Sequence, residues 1–142
     1  MKEQLSEQLI EVGDVFEHSF SFDQEQINLF AEVSGDNNPI HLDSNYAAQT
    51  VFKKPIIHGF LGGSVFSKVL GTLFPGEGTI YLKQDMRFTR PMYVGSTYQA
   101  VLEVVEVNRE KSTALLKTRI LDVETGKSTI EGEALVMNKK RL

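Results

Sequence analysis

Across residues 59–74 the apolar side chains Phe60, Leu61, Val65, Phe66, Val69, Leu70, Leu73 and Phe74 fall on nearly every side of a helical projection, and Lys68 is the only charge. A helix apolar all round needs cover on every side. Gly62, Gly63 and Gly71 lie within it, each costing about 1 kcal/mol relative to alanine, so other backbone is expected to pass close by. Pro75-Gly76 ends the segment. After it the chain changes character: residues 79–89, 96–107, 112–122 and 127–137 are rich in β-branched and aromatic residues and read as four successive strands. Polar turns at 108–111 and 124–126 make the strands they join antiparallel neighbours. The simplest cover for the helix is a sheet curled around it. The expected fold is therefore α+β, an antiparallel sheet of five to six strands wrapped around a long buried helix.

The first third of the chain is broken into shorter pieces. Residues 15–22 put Phe16, Phe20 and Phe22 on one face at period two, with His18 between them, which describes a half-buried strand. Asp23 and Gln26 form a capping box ahead of Ile27, Phe30, Ala31 and Ser34 at helical spacing, and Gly35 offers a stop. Residues 35–39, Gly-Asp-Asn-Asn-Pro, form a loop, after which Asp43 caps a second short helix through Ala47 and Ala48. Pro55 marks another irregular connection. The tail Lys139-Lys140-Arg141 reads as a solvated end. At 142 residues with 41% hydrophobic and 24% charged content, the chain suits one domain spanning residues 1–142.

Charge and composition exclude several functions. With 15 Lys+Arg against 19 Asp+Glu the formal net charge is -4, and no basic stripe offsets it, so nucleic acid is not an expected partner. The absence of cysteine removes disulfides, thiolate metal sites and a thiol nucleophile, and accords with a reducing compartment. Residues 1–13 carry Lys2, Glu3, Glu7 and Glu11 with no apolar run, unlike a signal peptide. No window reaches the roughly 18 apolar residues of a membrane span. A soluble, cytoplasmic protein is expected.

His41 and His58 flank the second short helix and converge with the polar loop on one region. A loop shaped by Gly35 and fixed by Pro39 can aim Asp36 and His41 at one water, which makes a general acid/base pair. The same residues also describe a plain turn whose side chains bond their own backbone. His58-Gly59 opens the long helix, where free N–H groups and the helix dipole suit a negative charge developing on a carbonyl oxygen; a capping glycine beside a surface histidine fits the pattern as well. No H-E-x-x-H or comparable spacing supports a metal site. Ser64 and Ser67 lack a nucleophile-turn context and read as hydrogen-bonding spacers. Glu131 and Glu133 alternate onto the outer face of a strand.

The run Ser34-Gly35-Asp36-Asn37-Asn38-Pro39-Ile40-His41 resembles the S/T-G-D-x-N-P-x-H signature of the MaoC-like (R)-specific enoyl-CoA hydratases. His58-Gly59 is similar to the same family's H-G segment, and Phe88-Thr89-Arg90-Pro91-Met92-Tyr93-Val94-Gly95 to its F-x-x-P-V-x-x-G turn. The resemblance covers the chain from about Asp14 to the last strand. It implies a hot-dog fold and reversible hydration of a trans-2-enoyl-CoA to the (3R)-hydroxyacyl-CoA, with no cofactor and no metal. Carried onto this sequence, Asp36 and His41 become the catalytic pair, Gly59 N–H the carbonyl donor, Asn38 a loop organiser and Ser67 a supporting hydrogen-bonder, with His58 and Phe60 beside the substrate. Phe60 stands where methionine is usual and Ser96 where aspartate is common. Coenzyme A or an acyl-carrier phosphopantetheine would be the substrate's handle, with Lys83, Arg87 and Arg90 either phosphate contacts or plain solvated charges. An exposed strand edge and the resemblance together point to a homodimer. An acyl-thioester hydrolase and a non-catalytic acyl-thioester sensor are the alternative readings.

Overall fold

The alternation seen in the second half of the sequence builds the sheet that carries everything else. In the structure, a computed structural model describing residues 8–142, the strands are β1 (Val15–Phe20), β2 (Ile80–Gln84), β3 (Arg87–Phe88), β4 (Tyr98–Asn108), β5 (Thr113–Asp122) and β6 (Ser128–Met137). The sheet is six-stranded and antiparallel in the order β1-β4-β5-β6-β2, with β3 also on β6. Opposed residues such as Ala100 and Ile120, Leu102 and Thr118, and Val104 and Leu116 point to one buried face. Against that face packs α4 (Gly59–Lys68), which runs on into a π-helical turn (Val69–Leu73), so that Val65, Phe66, Val69 and Leu70 join the core.

Local signals place the remaining helices. The Asp23/Gln26 capping box opens α1 (Gln24–Ser34): Gln26 N–H donates to Asp23 Oδ1 at 2.8 Å and Asp23 N–H to Gln26 Oε1 at 2.9 Å. Gly35 closes it in the left-handed region at φ +80°. Asn38 and Pro39 start α2 (Pro39–Leu42), and Asp43 caps α3 (Ser44–Ala48) through the N–H groups of Asn45 and Tyr46. Among the described residues, no helix is long and apolar enough to cross a membrane.

Several expectations change. Residues 79–89 form two strands because the Asp85 carbonyl lies over Gly132 of β6; a Cβ at Gly132 would sit 1.9 Å from that oxygen. The glycines of α4 face side chains: a Cβ at Gly62 would lie 3.0 Å from Met92 Sδ, and one at Gly63 2.6 Å from Met86 Sδ. Gly71 has nothing within 4 Å. The helix is covered on one flank only, because a single sheet curls past one side of it; Phe60, Ser64, Ser67, Lys68 and Leu73 are exposed. The tail is not a solvated end. Arg141 donates to Gln8 O at 2.8 Å and Pro75 O at 3.0 Å, and Leu142 is buried. The signal-peptide reading concerned residues 1–13, of which 1–7 lie outside the described residues.

Candidate active site

The loop after α1 is shaped by bonds it makes to itself. Ser34 Oγ donates to Phe30 O and accepts Asp36 N–H, Asp36 Oδ1 accepts Asn38 N–H at 3.3 Å, and Asn38 Oδ1 accepts Ile40 N–H at 3.2 Å. The turn reading is thus literally present, and it leaves Asp36 exposed with carboxylate capacity to spare. Asn38 acts on the backbone, capping α2 through its carbonyl oxygen.

That helix carries His41 inward to 8% exposure. Its Nδ1 lies 2.8 Å from the Ile56 carbonyl, which can only accept, so Nδ1 bears the proton and Nε2 keeps the lone pair. Residues 56–58 are held in place by two main-chain bonds, Ile56 N–H to Ile40 O and Ile57 N–H to Met92 O. Burial pulls the His41 pKa below the usual 6.5; the Ile56 bond and the Asp36 carboxylate push the other way, His58 adds to the lowering, and burial wins.

His58 is buried to 2% exposure, so the surface-histidine reading does not hold. Its Nε2 lies 2.9 Å from the Asp36 carbonyl oxygen, and its ring stacks on His41 with centroids 3.9 Å apart. Neither His58 nor Asp36 lines the pocket beside them, although the resemblance implies that both stand at the substrate; His41 and Gly59 do line it. That pocket, about 520 Å³, is walled by His41, Gly59, Phe60, Phe88, Met92 and Ile130 among others, and is mostly apolar. Gly59 is the first residue of α4, so its N–H has no acceptor within the helix.

Asp36, His41 and His58 each offer a metal-capable atom within 4.8 Å of the others. One nitrogen of each imidazole is already bonded to a main-chain carbonyl, and the second nitrogen of His58 is sealed from solvent. The arrangement suits proton transfer better than coordination. Ser67 is exposed, eight residues along α4 from Gly59 and so about 12 Å away, and does not join the cluster within one chain. Of the three basic residues, Arg87 pairs with Glu131 at 3.0 Å, Lys83 is exposed on β2, and Arg90 borders the pocket while donating to Ser128 O. Sequence reasoning gave no role to Phe88, whose ring lies where a Gly59 Cβ would be, at 2.7 Å, or to the Ile56 carbonyl; the signal for the first was the Phe88–Gly95 motif, and for the second the segment 55–59 that ends in His58-Gly59.

Residues 7–127 match the family model described as MaoC like domain. The chain is 42% identical over 132 residues, 93% of its own length and 98% of the relative's, to an (R)-specific enoyl-CoA hydratase of Aeromonas caviae. The solved (R)-hydratase of A. caviae superposes with a TM-score of 0.88 at 41% identity, covering 91% of this chain and 97% of that one. The R-hydratase PhaJ1 of Pseudomonas aeruginosa gives 0.87 at 43% identity, covering 93% and 84%.

Proposed function

The chain belongs to the MaoC-like domain family, and from that premise we propose that it adds water to a trans-2-enoyl-CoA to give the (3R)-hydroxyacyl-CoA, reversibly. The observation that carries this reading is the juxtaposition, on the wall of one apolar pocket, of a histidine tautomer-locked by Ile56 O and the first amide of α4, with the Asp36 carboxylate within 4.8 Å of the histidine's ring nitrogen.

An enoyl thioester accepts a nucleophile at Cβ only as its carbonyl oxygen takes on charge. Gly59 N–H receives that oxygen, and the dipole of α4 adds to the stabilisation. Asp36 and His41 hold the water over Cβ. His41 Nε2 takes a proton as the C–O bond forms, and the resulting imidazolium, made a ready donor by its burial, passes a proton to Cα. One hydroxyl and one hydrogen are added and nothing is left over. Because the same group takes and returns the proton, both arrive on one face of the alkene.

The functional unit is a homodimer. Among the described residues β2 is an edge strand paired on one side only, mostly exposed and beside the open flank of α4, so Phe60, Tyr81 and Leu82 form an apolar surface that a second copy would cover. A monomer mass by light scattering in fully active protein refutes this.

The test of function is incubation with short and medium trans-2-enoyl-CoAs, chiral separation of products, and a parallel thiol-release assay on saturated acyl-CoA. Hydration to the (3R) product without thiol release is expected. Thiol release without hydration establishes the hydrolase instead, and a (3S) product undoes the stereochemical assignment.

A further inference from the structure

His58 has no part in the reaction just described, yet its ring is committed on several sides. Nε2 lies 2.9 Å from Asp36 O, one face stacks on His41, and Phe30 closes in with its ring centroid at 4.8 Å. A carbonyl oxygen only accepts, so Nε2 carries the proton and Nδ1 is buried without a hydrogen-bond partner among the described residues. An unpartnered buried polar atom costs about 1–3 kcal/mol, which a phenyl ring of similar shape would avoid. Packing therefore does not account for an imidazole here, whereas the Nε2–H bond does.

That bond is unusual for the loop it holds. Residues 35–38 otherwise make hydrogen bonds only to neighbours a few positions away; among the described residues, the bond from His58, 22 positions on, is the loop's one long-range hydrogen bond. His58 is also the N-cap of α4, and the peptide that follows it carries the Gly59 N–H. A single residue is thus joined to all three working groups: to the Asp36 main chain by a hydrogen bond, to His41 by stacking, and to the Gly59 amide through the backbone.

We propose that His58 is a positioning residue that fixes the separation between the water held by Asp36 and His41 and the thioester oxygen held at Gly59. This rests on the reaction proposed above. In a conjugated enoyl thioester Cβ and the carbonyl oxygen sit at a nearly rigid separation, so the protein must present water and amide at one matching distance. A misplacement of about 1 Å in such a constellation costs on the order of 10²-fold.

The experiment compares wild type with His58→Phe, which keeps a ring but no donor, and His58→Gln, whose amide nitrogen can reach the place of Nε2. His58→Asn, too short to reach Asp36 O, is the reserve partner for Gln. Melting temperature, KM and kcat are measured for enoyl-CoA hydration, and two-bond ¹H–¹⁵N NMR of the wild type reads the His58 tautomer. The Phe variant is expected to melt no lower than wild type, to lose about 30–100-fold in kcat and to keep KM within about threefold. The Gln variant recovers about tenfold over Phe, or over Asn if Phe does not fold. A folded Phe variant with wild-type kcat, a Gln variant no better than its partner, or an Nδ1–H tautomer overturns the proposal. Wild type without hydratase activity refutes the reaction itself, whereas active wild type with an indifferent His58→Phe refutes only the positioning role.

Discussion

Alanine at position 59 separates the carbonyl-binding role of that amide from its role in the fold. An ideal Cβ there lies 2.7 Å from Phe88 Cε1, 2.8 Å from Cδ1 and 3.2 Å from Cζ. Carbon atoms pack at about 3.5–4.0 Å, so the ring overlaps the methyl by close to 1 Å and must swing away. The swing is cheap, since Phe88 is 51% exposed and sits on the two-residue strand β3. The helix also gains up to about 1 kcal/mol by losing a glycine. The two effects nearly cancel, and thermal unfolding should move by no more than about 4 °C. Activity should not survive as well. The N–H remains, but the methyl and the displaced ring both crowd the pocket wall where a thioester oxygen must approach to about 2.7–3.1 Å, so kcat should fall about 10²–10³-fold, as for loss of an oxyanion donor. The assay is the disappearance of enoyl absorbance on hydration, with melting followed by circular dichroism. A folded Gly59→Ala enzyme with kcat within about threefold of wild type would sink the idea that the oxygen docks at this amide.

Asp36→Asn and His41→Ala should each lower kcat by about 10²–10⁴-fold, and the double variant should be hardly worse than either, since both groups act on one water; additive losses in steady-state kinetics would assign them to separate steps. Because burial lowers the His41 pKa, the neutral, proton-accepting form persists below pH 6.5, so kcat should stay level there and fall only in more acidic solution; an acidic limb centred above 6.5 contradicts the assignment of His41 as base. Gly132→Ala should be among the most damaging single-methyl changes, because its Cβ would meet backbone, the Asp85 carbonyl, at 1.9 Å; a loss of about 1–3 kcal/mol is expected by thermal unfolding, while Gly71→Ala, with nothing within 4 Å, leaves stability level or raises it.

What could be read from the sequence was what neighbouring residues decide among themselves. The Asp23/Gln26 box, the Asp43 cap and the alternating strands appear with boundaries within one or two residues of expectation, residues 112–122 becoming Thr113–Asp122 and 127–137 becoming Ser128–Met137. What escaped depends on distant partners. The break in residues 79–89 answers to Gly132 on β6, and Arg141 is anchored by Gln8, 133 positions away, so a charge run that reads as a solvated tail is packed. Periodicity established that α4 is apolar without saying what covers it. In the site, the loop composition brought Asp36 and His41 together, but the bonds that orient the two imidazoles span 15 and 22 positions and leave no spacing to recognise.

In the proposed reaction the turn and the acid/base pair within residues 35–41, rivals on composition alone, depend on each other. A carboxylate has about four acceptor sites. Oδ1 of Asp36 uses one on the Asn38 N–H, and this bond shapes the turn that starts α2 and carries His41 into the wall of the pocket. The proposed role needs His41 inside, because desolvation is the largest cause of its lowered pKa, and a lowered pKa is what would make it ready to pass on a proton taken from water. Asp36 stays at the edge, where Asn38 N–H meets its Oδ1 and water can reach the pair. Moving the pair wholly into the core would raise the cost of the carboxylate; moving it wholly to the surface would return His41 toward 6.5 and weaken it as a donor to Cα. A loop that ends one helix and caps the next at the rim of an apolar pocket places one group on each side of that boundary.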